Sequence, residues 1–421
     1  MRNPIRLIFY AILLSFIFVG IVLIKGYTYQ GIGFTYFWTI FVTVFMSSRI
    51  VGSLFYNNKY GSDENYNPQI SFVIPCKNEG RAIYHTIQKC CEVEYPEDRI
   101  QIIAINDGST DNTLREMQRA KLDFSNRDIK IVDWRKNRGK REGMRCGFKN
   151  ANGEIIIQLD SDSFPDSKTM RYLITPFKDR KIGAVVGHTE PSNKDENILT
   201  RMQTAYYFMS FRALKSTESI FGICFCCSGC YSAYRKEYVS PILEEWNNEK
   251  FMGKRVTWGD DRALTNQILK QGYNTIYASE ALAFTIVPNT FKQFFKQQRR
   301  WKQGWFVNSM KALKFIVKRD KFVSLTYFFP LIFLTIATPF IAFKSLIINP
   351  IFFGISPIFY ILGIFLVSML CYVHYNVYSP DKKYGKYMLL WSVLNMTFLS
   401  FILIFALYNV FIAKNYVWGT R

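Results

Sequence analysis

The chain has 421 residues, with 53 Lys+Arg against 32 Asp+Glu for a formal net charge of +21, and it is 49% hydrophobic and 17% aromatic. That aromatic content excludes wholesale disorder, and the length excludes a small scaffold stapled by disulfides. The apolar residues are segregated into blocks at both ends.

In chain order, the first two blocks are 5–24 and 32–48, and three more follow at 322–345, 351–373 and 387–412. Each block of ~17–26 residues suits a crossing of an about 30 Å hydrocarbon core. Their interiors lack acidic and basic residues apart from Arg6 and Lys344 at the edges, whereas a soluble core helix rarely stays apolar all round for this length. The first block follows Arg2 and Arg6 as a signal peptide does, but no small-residue cleavage site follows it, so it reads as an uncleaved anchor.

Lys and Arg placement sets the expected orientation. Arg2 and Arg6, Arg49, Lys311 to Lys321, and Lys382 to Lys386 flank the blocks on one side, which the positive-inside bias makes cytoplasmic. The chain is therefore expected to be a multi-pass protein of the cell membrane with a cytoplasmic middle domain. The excess charge serves this bias and attraction to membrane lipid, and no motif of a nucleic-acid partner is present. The expected domains are two transmembrane helices in 1–56, a globular domain in 57–290, an amphipathic interface helix in 291–321, a membrane region in 322–412 and a tail in 413–421. A fifth full crossing would place Lys414 and Arg421 outside, so 387–412 is expected to turn back near Asn395, Thr397 and Ser400.

Within the globular domain, strands are predicted at Gln69–Pro75, Gln101–Ile105, Ile129–Trp134, Glu154–Leu159 and Ile182–His188, separated by helical stretches such as Arg81–Cys91. This alternation predicts an α/β fold with a mostly parallel sheet, whose ligands bind beyond the carboxyl ends of the strands. Nine cysteines lie almost wholly in this cytoplasmic part, where disulfides are not expected. The C-x-x-C at Cys227–Cys230 has neither a second pair nor histidines nearby, so small buried thiols are expected rather than zinc.

Five motifs carry chemistry. Asp160-Ser161-Asp162 follows a strand and sets two hard carboxylates near one spot, a donor set for Mg²⁺ or Mn²⁺ shared with phosphates. Asp107 ends another strand, where it either caps a turn or accepts hydrogen bonds from a base or ribose. The basic loop ending in Gly139-Lys140-Arg141 precedes a helix and suits phosphate. Trp258-Gly259-Asp260-Asp261-Arg262 pairs carboxylates beside an arginine, one of them a candidate general base. Gln297-Gln298-Arg299-Arg300-Trp301 lies on a basic aromatic helix ahead of the third apolar block, suited to interfacial anchoring. There Trp301 is placed to stack on a sugar and Arg300 to meet phosphate.

D-x-D, then G-D-D, then Q-x-x-R-W ahead of membrane spans resembles the processive family 2 glycosyltransferases, which include cellulose, chitin and hyaluronan synthases. The resemblance covers nearly the whole chain. It is nearest to hyaluronan synthases through Gly139-Lys140-Arg141, Cys227-Ser228-Gly229, the run Gly259 to Thr265, and Trp418-Gly419-Thr420-Arg421. Cys230 departs from the usual proline after Ser-Gly, and Trp301 to Trp305 follows the general polysaccharide-synthase pattern.

The resemblance implies a GT-A fold and an inverting hexosyl transfer from UDP-GlcNAc and UDP-glucuronate to a nascent polysaccharide. Asp107 would hold uridine, Asp160 and Asp162 the UDP and its Mg²⁺ or Mn²⁺, and Asp261 would deprotonate the acceptor. Lys140, Arg141, Ser228, Gly229, Asp260 and Arg262 would complete the substrate site. Gln297, Arg300 and Trp301 would form the acceptor end, and Trp418 and Arg421 a gate contacting the diphosphate. A single-donor chitin or poly-GlcNAc synthase is the enzymatic alternative, and a lipid-phosphate glycosyltransferase is a further one.

Overall fold

The computed structural model describes residues 4–28 and 34–413. Its centre is an eight-stranded sheet made of β1 (Ile70–Cys76), β2 (Ile100–Asp107), β3 (Asp128–Trp134), β4 (Ile155–Gln158), β5 (Ser163–Pro165), β6 (Ile182–Pro191), β7 (Ser232–Arg235) and β10 (Asn274–Thr285). The strand order is β3-β2-β1-β4-β7-β6-β10-β5, and β8 (Lys250–Phe251) and β9 (Lys254–Arg255) form a separate hairpin. The pairs around β1 are parallel, with Ile74 opposite Ala104 and Phe72 opposite Ile157. β7 runs antiparallel to both β4 and β6, and β5 antiparallel to β10. The sheet is thus mixed, with parallel pairing kept on the β3-β2-β1-β4 side and between β6 and β10.

The five predicted strands are all present. The others lack a strong signal: β7 and β5 are very short, and β10 reads NTIYASEALAFT, in which Ala, Ser and Glu interrupt the apolar run. β10 is a strand because its neighbours bury it, a tertiary effect that overrides weak propensity.

β1 and β2 are buried along their whole length, which explains their near-continuous apolar sequences. Successive side chains feed opposite faces. Phe72, Ile74, Ile102 and Ala104 enter one core, and Val73, Ile103 and Ile105 the other. The helix Lys140–Asn150 lies on β1 through glycines: a Cβ on Gly147 would come within 2.2 Å of Val73 Cγ1. This close approach brings the start of that helix to the strand ends.

Among the described residues, five helices are long and apolar enough to cross a membrane: Phe9–Gly26, Tyr36–Phe55, Lys321–Phe353, Ile358–Tyr378 and Tyr387–Phe411. The predicted turn at Asn395–Ser400 is absent. Tyr387–Phe411 is one continuous helix with a π-helical stretch at Asn395–Leu399. Two of the three polar residues that suggested a turn are absorbed by the helix itself: the Thr397 hydroxyl donates to the Val393 carbonyl at 2.6 Å and that of Ser400 to the Thr397 carbonyl at 2.6 Å. Trp418 and Arg421 lie outside the described residues.

The helix Phe291–Ala312 joins the globular domain to this bundle. It packs along the last apolar helix, where the Phe306 and Phe411 rings meet edge to face with centroids 5.6 Å apart.

Candidate active site

The carboxyl ends of β1, β2 and β4 point to a common crevice of about 190 Å³, lined by Lys77, Asn78, Asp107, Lys140, Asp160, Asp162 and Arg300 among others. Parallel neighbours end on the same side, so strand-end residues far apart in sequence converge there.

The crevice loops are braced to one another. Asp107 is buried, and its carboxylate accepts the backbone N–H groups of Arg138 and Gly139, the latter at 2.9 Å. Gly139 sits at φ +95°, a conformation that favours glycine, and hands the chain into the helix that begins at Lys140. Asn78, at φ +55°, accepts the Thr110 N–H at 2.8 Å, tying the loop after β1 to the loop after β2.

Lys140 is the electrostatic centre. Its ammonium lies 2.6 Å from Asp160 Oδ1 and 3.4 Å from Asp260 Oδ2. Burial works against the lysine's charge, but Asp160 and Asp260 outweigh it and hold the group protonated above its ordinary range. The D-x-D and G-D-D motifs, about 100 residues apart in sequence, therefore meet at one cation.

Asp260 and Asp261 open the helix Asp260–Lys270, whose N-cap Gly259 is left-handed at φ +67°. Burial disfavours ionised Asp260, yet Lys140 and Arg141 outweigh it and hold its carboxyl below the usual range. Burial and the neighbouring Asp260 charge push Asp261 the other way, above that range. Cys226 Sγ is 3.4 Å from Asp261 Oδ2. Two adjacent carboxyls driven apart in this manner suit different tasks, one a fixed anion and the other a proton acceptor.

The G-D-D loop is set against the Q-x-x-R-W helix by two glycines. A Cβ on Gly259 would come within 2.9 Å of Gly304 Cα, and the Asn308 side-chain amide donates to both the Gly259 carbonyl at 3.2 Å and the Gly304 carbonyl at 2.9 Å. This contact carries Arg300 to the aspartate crevice.

Residues 71–243 match the family model described as Glycosyl transferase family 2. The globular domain is a family 2 glycosyltransferase domain. The chain is 28% identical to a hyaluronan synthase of Streptococcus pyogenes over 418 residues, covering 97% of this chain and 96% of that protein. It is also 28% identical to an N-acetylglucosaminyltransferase of Neorhizobium galegae, over 61% of this chain and 59% of that one. Among solved structures, the mannosyltransferase PcManGT of Pyrobaculum calidifontis, in complex with GDP-Man and Mn²⁺, matches with a TM-score of 0.60 at 17% identity, covering 97% of this chain and all of that one. The fold is therefore of the GT-A type, and the chain is a hexosyltransferase that places this glycosyltransferase domain between membrane helices.

Within the glycosyltransferase domain, the sequence-predicted residues fall into three groups. Asp107, Lys140, Asp160, Asp162 and Arg300 share the crevice, and Asp260 reaches it through Lys140. Gly229 presses against it, since a Cβ there would come within 3.0 Å of Asp160 Oδ1, and the Ser228 hydroxyl is buried without a hydrogen-bond partner among the described residues. Asp261 and Arg262 lie on the adjoining helix turn, with Trp301 packed on the core beside them.

Arg141 stands apart. It is buried away from the crevice, donating to the Trp246 carbonyl at 2.9 Å and pairing with Glu249 at 3.3 Å, so it braces the segment that leads into G-D-D. Gln297 is half-buried, with its side-chain oxygen lacking a hydrogen-bond partner among the described residues. Lys77 and Asn78 were not singled out from the sequence. Their signal was position alone, directly after a predicted buried strand.

Proposed function

We propose that the chain is a processive inverting glycosyltransferase that joins UDP-GlcNAc and UDP-glucuronate into hyaluronan and exports the polymer through its own membrane helices, with the catalytic domain cytoplasmic. The observation that carries this reading is the meeting of D-x-D and G-D-D at Lys140, with the Q-x-x-R-W helix locked to the same loop. Likeness to the hyaluronan synthase along nearly the full length of both chains supports the choice of donors.

In this mechanism the crevice takes the nucleotide. Asp107 keeps the Arg138–Gly139 loop closed around it, and Lys140 and Arg300 offset the diphosphate charge. The donor oxygens of Asp160 and Asp162 fit Mg²⁺ or Mn²⁺, because both are hard carboxylates and the site already attracts a cation in the form of Lys140. No cluster of three His, Cys, Asp or Glu side chains suited to a metal is found among the described residues, so the remaining ligands would be diphosphate oxygens and water. Such an ion would stabilise the charge that builds on the departing diphosphate.

Asp261, with its affinity for protons raised, takes the proton from the acceptor hydroxyl. The new bond forms from that hydroxyl oxygen to the anomeric carbon as the bond to UDP breaks on the opposite face, so the linkage is β. Trp301 and Gln297 hold the acceptor sugar. Arg141 acts as a positioning residue for the G-D-D loop.

The similarity to an N-acetylglucosaminyltransferase favours one competing reading, a single-donor poly-GlcNAc synthase. Incubating the purified protein with each UDP-sugar alone and with both, then sizing the product, separates them. Long product only with both donors supports hyaluronan, and long product from UDP-GlcNAc alone overturns it.

A further inference from the structure

A second cavity, of about 270 Å³, lies between the membrane helices and the globular domain. Its lining is mostly apolar, yet it contains two lysines, Lys25 in the last turn of the first apolar helix and Lys302 on the helix Phe291–Ala312. Lys25 is 1% exposed, and its ammonium donates to Thr43 Oγ1 at 2.9 Å and to the Thr39 carbonyl at 3.2 Å. Neither lysine has a carboxylate within ion-pair distance among the described residues. Burial pulls Lys302 down to about 8, which leaves it mostly protonated at pH 7.

Two lysines in an apolar cavity without counter-charge are costly to bury, and such residues mark the path of a charged ligand more often than they serve packing. We propose that Lys25 and Lys302 bind the carboxylate groups of an anionic polysaccharide passing through this cavity, which makes them charge-selecting residues for the exported chain. The assignment rests on the hyaluronan reading and deepens it.

Three features favour a sugar chain over an anionic lipid. Lys302 directly follows Trp301, and Arg300 before it lines the aspartate crevice, so one helix segment serves both the crevice and the cavity. The Tyr206 and Trp391 rings, both in the lining, are stacked with centroids 4.4 Å apart and offer flat aromatic faces of the kind sugar rings stack on. Hydroxyls and an amide from Ser210, Thr335, Ser392 and Asn395 supply hydrogen bonds that a lipid tail would not use.

The test uses the full chain in nanodiscs. Binding is measured for a tetrasaccharide alternating GlcNAc and glucuronate and for the neutral chitotetraose. The wild type is expected to bind the anionic probe at least tenfold more tightly, and the Lys25→Met/Lys302→Met variant is expected to lose that preference. Lys25→Arg/Lys302→Arg should keep it, which separates charge from fold. In polymerisation with both donors, Lys25→Met should give chains at least tenfold shorter than those of the wild type. An unchanged preference and chain length in the Met variants overturns the assignment while leaving the two-donor reading standing. Retention of anionic phospholipid that depends on both lysines, with no change in tetrasaccharide binding, makes lipid the occupant and also overturns it. Long chains from UDP-GlcNAc alone in the wild type bring down the two-donor reading, and the lysine assignment with it.

Discussion

The donor side and the acceptor side of the catalytic site are built on different principles. On the donor side, Asp107, Asp160 and Asp162 stand at the ends of neighbouring strands, and each loop is fixed by short-range hydrogen bonds such as those from Arg138 and Gly139 to Asp107. On the acceptor side, Asp261 and Trp301 ride on two helices that touch through Gly259 and Gly304. A strand end places its residue wherever the sheet forms. A helix-to-helix contact places its residue only if both helices dock. Changes on the donor side should therefore act on nucleotide affinity, and those on the acceptor side on turnover.

The largest expected effect is at Asp261. Asp261→Asn removes the proton acceptor and should lower turnover by about 10²–10⁴-fold, with UDP affinity within about twofold of wild type because the residue acts in the transition state. Isothermal titration with UDP alongside a polymerisation assay reads both quantities. A large loss of UDP affinity would erase the division between the two sides.

Donor-side variants should show the opposite pattern. Asp160→Ala removes a partner of Lys140 and a metal-type donor together, and Asp162→Ala removes a second donor. Each should weaken UDP binding by about tenfold or more, roughly the 1.4 kcal/mol or greater worth of a charge-assisted contact. Each should also flatten the dependence on added Mn²⁺ or Mg²⁺. Full activity of the wild type in excess EDTA would remove the metal from the proposed mechanism.

Much of the donor side was legible in the sequence, for the same reason that it is locally built. QISFVIP, QIIAI and EIIIQL are buried on both faces, so their apolar runs are continuous, and the aspartates directly after them had to converge. The acceptor side was legible only as motifs. Nothing in the spacing of Gly259 and Gly304 says that they touch, and Arg141, read as a phosphate contact, turns inward because the Trp246 carbonyl and Glu249 satisfy it there. The last apolar helix misled for a related reason. Asn395, Thr397 and Ser400 look like a turn until the Thr397 and Ser400 hydroxyls are seen to donate to carbonyls of the same continuous helix.

The glycine contact gives an intermediate effect. Gly259→Ala puts a side chain at φ +67°, at a cost of about 1–2 kcal/mol, and drives its Cβ against Gly304 and Asn308. Gly304→Ala meets Gly259 Cα at 3.1 Å without the backbone strain. Both variants should lower polymer output while retaining UDP binding, with Gly259→Ala the worse of the two. Equal loss of UDP binding would show that the two sides are not separately built.

The smallest effect tests the acceptor side alone. Burial and the charge of Asp261 push the Cys226 thiol up to about 12, so at neutral pH it is an uncharged S–H group 3.4 Å from the Asp261 carboxylate. A donor at that place favours the ionised carboxylate and so holds the Asp261 pKa lower than burial and Asp260 alone would set it. The base works only when deprotonated, so turnover falls on the acid side as pH drops through the Asp261 pKa. Cys226→Ala removes the donor, raises that pKa further and should move the acid limb of the rate profile to higher pH. A weak thiol donor is expected to shift it by only a few tenths of a unit, as one full unit corresponds to about 1.36 kcal/mol. The plateau rate at high pH should be unchanged, because the ionised base is the same group in both proteins. Cys226→Ser, which keeps a donor, should restore the original limb. A lowered plateau with no movement of the limb would mean that Cys226 packs the loop and does not tune the base, and the titrating group on the acid side would then have to be sought away from Asp261.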